Sequence, residues 1–209
     1  MTQPTGNCPN CGAKITFRWS ASVQTVCEYC KSILVRTDVD LQKVGQVADL
    51  PPNSSPLQIG TEGVYGPHAF TAIGRIIYEY DLGNWNEWHL MMNNGTSGWL
   101  SDAQDDYAIT FAALGRKLPE QCKIGQQYTW DQQTYTVTTI TKAHYRGVEG
   151  ELPFQYWDKT DVVFVDLRSY LGKFATIDYS DSDPVLYLGE GVEFDSLKLK
   201  NLRSFEGWS

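Results

Sequence analysis

Two Cys-x-x-Cys pairs, Cys8-Pro-Asn-Cys11 and Cys27-Glu-Tyr-Cys30, stand fifteen residues apart near the start of the chain. No other feature constrains the folding of this sequence as strongly. Two residues between cysteines let both sulfurs face one ion while backbone amides donate to them, and Gly12 eases the tight turn after the first pair. Two such pairs at this spacing form the zinc-ribbon pattern. Cys8, Cys11, Cys27 and Cys30 fill a tetrahedral shell and leave no position for water, so the expected ion is one structural Zn²⁺ per chain. Ile15, Phe17, Val23 and Val26 are too few to build a core, so metal binding must supply folding energy on the order of 10 kcal/mol. A thioredoxin-like redox pair competes with this reading, but no βαβ pattern surrounds either Cys-x-x-Cys. An Fe–S centre is compatible with the same four ligands.

The ribbon occupies residues 1–36. Residues 37–56 read as a linker, because Asp49-Leu-Pro-Pro-Asn-Ser-Ser-Pro56 places three prolines in six residues and removes backbone donors. Val39 to Leu50 reads as one short helix ahead of those prolines. Residues 57–205 form the main body, and its pattern is that of an all-β protein with little helix. Phe70 to Tyr80 is a β-rich run broken by Gly74, and Trp85 to Met92 is a second. Asn93-Asn-Gly-Thr then supplies the Asn-Gly that tolerates the positive φ of a hairpin, before the return strand at Trp99-Leu100. Tyr107 to Leu114, Thr134 to Thr141, Val162 to Leu167, Phe174 to Tyr179 and Val185 to Leu188 complete the strands.

The body also echoes itself. Ile59-Gly60, Phe70 and Tyr78 recur as Ile124-Gly125, Tyr135 and Tyr145, while Gly98-Trp-Leu-Ser and Tyr107-Ala-Ile recur as Gly172-Lys-Phe-Ala and Leu186-Tyr-Leu. These matches predict two related antiparallel β units, residues 57–118 and 119–205, built as small barrels or one continuous curved sandwich. The alternative is that antiparallel sheets share glycine turns and aromatic strands without being related.

Charge limits the partners. Residues 1–37 carry Lys14, Arg18, Lys31 and Arg36 against Glu28, whereas residues 51–209 carry 12 basic and 21 acidic side chains. An acidic body repels phosphate backbones, so nucleic acid is not its expected partner. Contact of the ribbon alone with nucleic acid or an acidic partner, through Lys14, Arg18, Trp19 and Arg36, is a separate reading; four charges make no continuous basic stripe. No run approaches the roughly 20 apolar residues that span a bilayer, and Met1-Thr-Gln-Pro-Thr-Gly shows no secretory pattern. Cysteines arranged for metal suit a reducing compartment, so a cytoplasmic protein is expected.

Among catalytic candidates, His68, His89 and His144 form no His-x-x-x-His or His-Glu-x-x-His motif. Alternation along Trp85-Asn-Glu-Trp-His-Leu puts Trp85, Glu87 and His89 on one face and Trp88 and Leu90 on the other. A Glu87/His89 pair suits acid–base chemistry of a hydrolase type; an exposed strand face is the plainer reading. Cys122 has no neighbouring His and reads as an incidental thiol. Asp178-Tyr-Ser-Asp181-Ser-Asp183 has an EF-hand flavour without the central glycine and closing glutamate, which makes it a solvated turn by default. Trp85, Trp88, Trp99 and Trp157 are candidates for a binding groove.

The residues resemble a family. Trp85-Asn-Glu-Trp-His-Leu, Asn94-Gly-Thr-Ser-Gly-Trp-Leu-Ser101, Gly147-Val-Glu-Gly-Glu-Leu-Pro153, Phe174-Ala-Thr-Ile-Asp-Tyr179, Gly191-Val-Glu-Phe-Asp and Leu197-Lys-Leu-Lys-Asn-Leu-Arg203 are similar to the bacterial domain of unknown function 4178. The resemblance spans about residues 57–205, and similar members also carry a double Cys-x-x-Cys ribbon in front. It implies no activity and no catalytic residues, and hints at an accessory role in an envelope or stress system. The combined expectation is a non-enzymatic binding or adaptor protein. Its acidic, aromatic surface, with Trp85, Glu87, Trp88, His89 and Trp99, would meet a protein or a cationic small molecule.

Overall fold

The computed structural model describes residues 4–37, 40–47, 50, 54–156 and 161–204. Its regular structure is fifteen strands and one four-residue 3-10 turn, Phe194–Leu197. No helix among the described residues is long and apolar enough to cross a membrane.

The ribbon contains β1 (Thr5–Asn7) paired with β2 (Lys14–Thr16), then β3 (Gln24–Val26), β4 (Ser32–Arg36) and β5 (Leu41–Gln46). The last strand corrects the expected helix over Val39 to Leu50. Leu41–Gln46 lies antiparallel to β4, with Leu34 opposite Lys43 and Arg36 opposite Leu41. The free edge of β4 offers ladder hydrogen bonds that a short, weakly periodic segment cannot match with a helix of its own. Pro51 and Pro52 lie outside the described residues.

The body begins with β6 (Glu62–Tyr65), β7 (His68–Tyr80), β8 (Gly83–Met92), β9 (Ser97–Ala103) and β10 (Asp106–Ala112). It continues with β11 (Gln127–Trp130), β12 (Gln133–Leu152), β13 (Asp161–Arg168), β14 (Lys173–Asp178) and β15 (Val185–Gly191). Neighbours run β12-β13-β14-β15-β10-β9-β8-β7, and β7 pairs back onto β12, so eight antiparallel strands close into a barrel. Closure removes the edges that an open sheet would expose.

Turns and ladder register repeat along the body. Gly60 N–H donates to the Ala72 carbonyl and Ala72 N–H to that of Thr61; Gly125 donates to Val137 and Val137 to Gln126, each 65 residues further on. Gly60 and Gly125 both hold positive φ, +91° and +81°. β6 on β7 repeats as β11 on β12, Tyr65↔His68 becoming Trp130↔Gln133. The bulge between Ala72 and Gly74 opposite β8 repeats between Val137 and Thr139 opposite β13. After it, His89↔Trp99 corresponds to Asp166↔Thr176. The register therefore aligns Gly98 with Ala175 rather than with Gly172, and Tyr80 rather than Tyr78 with Tyr145. The barrel is one closed ring shared by two four-stranded halves.

Apolar packing outside the ring fixes which side chains face in. Trp88, Leu90, Leu100 and Ile109 pack beneath Leu57 and Leu197, while Val165, Leu167, Ala175 and Ile177 pack beneath Trp130. Alternation then turns Glu87, Trp99, Thr110, Phe164, Thr176 and Tyr187 to the interior. Side chains from seven of the eight strands do line one shared cavity, which only the inside of the ring can provide.

The ribbon is joined to this barrel by the far end of β12. Glu151↔Thr25 and Leu152↔Gln24 extend the ladder into β3, so β5, β4 and β3 continue the barrel sheet. Val26, Ile33, Val44 and Val47 of the ribbon pack with Val148 and Leu152. The Gln24 side chain closes the seam by donating to the Tyr156 carbonyl (2.9 Å) and accepting from Tyr156 N–H (2.7 Å).

Candidate functional site

The first site is the cysteine cluster. Cys8 N–H donates to the Ala13 carbonyl and Gly12 N–H to that of Cys8; Cys27 N–H donates to Ser32 and Lys31 N–H to Cys27. The two knuckles are thus the same turn built twice, with Gly12 at φ +75° and Lys31 at φ +57°. They bring the four sulfurs within 4.8 Å of one another. Cys8 and Cys30 sulfurs lie 3.6 Å apart and those of Cys11 and Cys27 3.7 Å apart, far beyond a disulfide bond. A tetrahedron with metal–sulfur bonds of about 2.3 Å has edges of about 3.8 Å, which the Cys8–Cys30 and Cys11–Cys27 separations match. The four-cysteine group fits a metal ion, and it is the one such group among the described residues.

The second site is the barrel interior. Glu87 on β8 accepts from the Trp85 indole N–H (3.0 Å) and from the Ser101 hydroxyl on β9 (2.9 Å). Burial pushes its carboxyl up to about 8, against the pull of Ser101 and Trp85. Across the ring, burial also raises Asp166 on β13 to about 6, with the Thr176 hydroxyl and Arg168 opposing, and raises Asp178 on β14. Asp166 and Asp178 both act electrostatically on Glu87. Three carboxyls, one from the first half and two from the second, therefore share one interior. Aromatic rings complete it. Tyr78 stacks on Trp85 (5.0 Å between centroids) and meets Phe164 edge-on (4.8 Å), and Trp99 stacks on Phe154 (5.7 Å). The cavity among Glu87, Trp99, Phe154, Asp178 and Tyr187 is about 40 Å³. That is room for about three water molecules.

The expected surface residues separate. Trp88 is 1% exposed and lies outside the ring under an apolar cover, with the Arg75 guanidinium over its ring at 5.0 Å. Trp85, Glu87 and Trp99 face the interior, and His89 is fully buried. The aromatic, acidic face is thus internal: the strands curl until the face meant for a partner closes on itself. Glu87 and His89 share no hydrogen bond. Glu87 is held by Trp85 and Ser101, while His89 Nδ1 lies 2.9 Å from the Glu151 carbonyl. A carbonyl only accepts, so Nδ1 carries the proton and Nε2 keeps a bare lone pair, buried without a partner. Burial lowers the His89 pKa to about 4, so the ring is neutral at pH 7.

The remaining candidates are placed as follows. In the acidic cluster, Asp178 accepts from Ser180 N–H (2.8 Å) and Asp181 from Ser182 N–H (2.7 Å), each capping its own turn. Cys122 lies 3.5 Å from the Tyr179 hydroxyl in the outer apolar cluster of the second half. On the ribbon, Arg18 pairs with Glu28 (3.8 Å) and Arg36 sits over Phe17 (5.5 Å). His68 and His144 lie at the barrel surface beside Asn93 and Glu79. Trp157 lies outside the described residues. Asp166 and Asp178 were not singled out as an interior pair, because only barrel closure sets them opposite Glu87. Their one local signal is alternation with Val165 and Ile177.

Comparison with known proteins gives one family. The family model described as a domain of unknown function, DUF4178, matches residues 58–194. The chain belongs to the DUF4178 family. The match takes in the whole eight-stranded ring of this DUF4178 member and starts after its cysteine ribbon. No curated protein and no solved structure matches the chain.

Proposed function

We propose that this DUF4178 chain is a non-catalytic binding protein: a ribbon stapled by zinc, fixed to a barrel whose interior takes the head group of a small organic cation. The carrying observation is the convergence of Glu87 and Asp178 with Trp99, Tyr78 and Phe164 around one cavity, with Trp85 packed against Tyr78 and Phe164 and Asp166 acting electrostatically on Glu87. Carboxylates attract a positive charge and ring faces stabilise it further once water is displaced. The volume suits an ammonium group with one or two attached carbons. A raised Glu87 pKa means that a bound cation displaces a proton, so affinity rises with pH until about 8. Zinc is the ion we assign to the cysteines from their ribbon spacing, and four thiolates this close leave no room between them for a cluster of several irons.

Two measurements test this. Metal analysis of purified protein should return one zinc per chain. Titration of ¹⁵N-labelled protein with butylammonium should move amides of β8 and β14, and butanol should not move them. Glu87→Gln with Asp178→Asn should weaken the cation at least tenfold. Equal titration of wild type and the double variant would remove the interior as the binding site.

A further inference from the structure

We infer that His89 is the positioning residue that sets the Trp99 wall of the cavity, and that it does so only while the cysteine ribbon is closed around its metal. The part concerning ligand affinity rests on the binding function proposed above; the part concerning Trp99 does not.

Contacts run without a gap from the cysteines to the cavity. The loop between β2 and β3, lying between the two knuckles, wraps the Glu151 carboxylate. Arg18 N–H donates at 2.7 Å, Trp19 N–H at 3.2 Å and the Ser22 hydroxyl at 2.6 Å. Glu151 is buried, so these three donors take the place of solvent around its carboxylate. The backbone carbonyl of the same residue receives the His89 Nδ1 proton. Trp19 lies edge-on over the His89 ring at 5.3 Å, and His89 packs on Trp99 at 5.1 Å. Trp99 then stacks on Phe154, and both line the cavity.

A second observation comes from the relation between the halves. The positions equivalent by register to Gly74, His89 and Trp99 are Thr139, Asp166 and Thr176 on β12, β13 and β14. Only where the end of β12 and the 18–22 loop pack against β7 and β8 does the chain use a glycine, a buried neutral histidine and an indole. Gly74 is required there because a Cβ would stand 2.0 Å from the Glu151 carbonyl oxygen. The set serves the joint with the ribbon rather than the barrel as such.

The ribbon's own strands are three to six residues long and its core is small, so the 18–22 loop loses its frame when the metal leaves. Trp19 then uncovers His89. The ring gains water at Nε2, its grip on Trp99 loosens, and the cavity wall becomes mobile.

The test uses the full chain with ¹⁵N-labelled tryptophan indoles, the Trp99 resonance being assigned with Trp99→Phe. Stripping zinc with a chelator should shift the Trp99 indole resonance and lower butylammonium affinity at least tenfold. Metal-loaded Trp19→Ala and His89→Leu should already show the displaced resonance, and His89→Gln, which can still donate to the Glu151 carbonyl, should return it toward the wild-type position. An unmoved Trp99 resonance while ribbon amides collapse would overturn the inference. If stripping unfolds the barrel as well, the metal-loaded Trp19→Ala chain decides: a wild-type Trp99 position there overturns it equally. Absence of butylammonium binding to the loaded wild type would sink the proposed function alone, since the indole shift is read without ligand.

Discussion

Replacing Glu87 by Gln preserves an acceptor for the Trp85 indole and the Ser101 hydroxyl while deleting one titration. Burial holds the native carboxyl at about 8, against 4.5 for the free side chain. Below the lower value both folded and unfolded chains are protonated, and Glu87 contributes no pH dependence. Between the two values the folded chain keeps a proton that the unfolded chain has released, so stability falls as pH rises. The slope cannot exceed about 1.4 kcal/mol per pH unit. Taking both values, wild type loses about 2 kcal/mol from pH 6 to pH 8 that Glu87→Gln does not lose. In a chain of this size that difference is about 4–8 °C in Tm. Asp166 and Asp178 remain in both proteins, and only their coupling to Glu87 enters the difference. Thermal melts followed by circular dichroism at pH 5, 6, 7 and 8 should show the Tm of the variant pulling ahead of wild type as pH rises. Parallel curves would mean that Glu87 titrates normally, and the desolvated interior would have to be abandoned.

Ser101→Ala removes a donor that favours the charged carboxylate, so the Glu87 midpoint should move further up, as read by ¹³C carboxyl chemical shifts. Gly74→Ala should cost about 3 kcal/mol in denaturant melts, because the new methyl meets the Glu151 carbonyl oxygen and backbone must move. Glu151→Ala should cost about 3 kcal/mol and expose amides of residues 18–22 to hydrogen exchange, since three donors lose one buried acceptor.

The cysteine spacing was readable because its chemistry is local: four residue types at two fixed intervals specify one geometry. Strand content was readable for the same reason, through β-branched and aromatic runs. The repeated turn was legible at Ile59-Gly60 and Ile124-Gly125, where a left-handed turn needs glycine. Further along it blurred, because β12 carries extra residues and the exact partners of Gly98 and Tyr78 can be set only by ladder register. The helix expected over Val39 to Leu50 gives way to a strand, Leu41–Gln46, that depends on the edge of β4, which a local window does not contain. Trp88 and Trp99 illustrate the hardest part. Alternation separates Trp88 from Trp85, Glu87 and His89 but assigns no face to Trp99 and does not say which face is inside, since that follows from closure of β7 onto β12. The opposition of Asp166 and Asp178 to Glu87 depends on the same closure.

β12 begins as a barrel stave and ends as the scaffold on which β3 is laid, one uninterrupted backbone with two employers. A chain trimmed at the family boundary would present Glu151 and Leu152 as a raw edge, with a stranded carboxylate and unclaimed main-chain groups. Such a fragment should recruit whatever strand it meets, itself included. The severed piece is therefore a poor proxy for the barrel as it exists in the whole molecule, and point changes that leave the seam closed are the sounder way to ask what each end contributes.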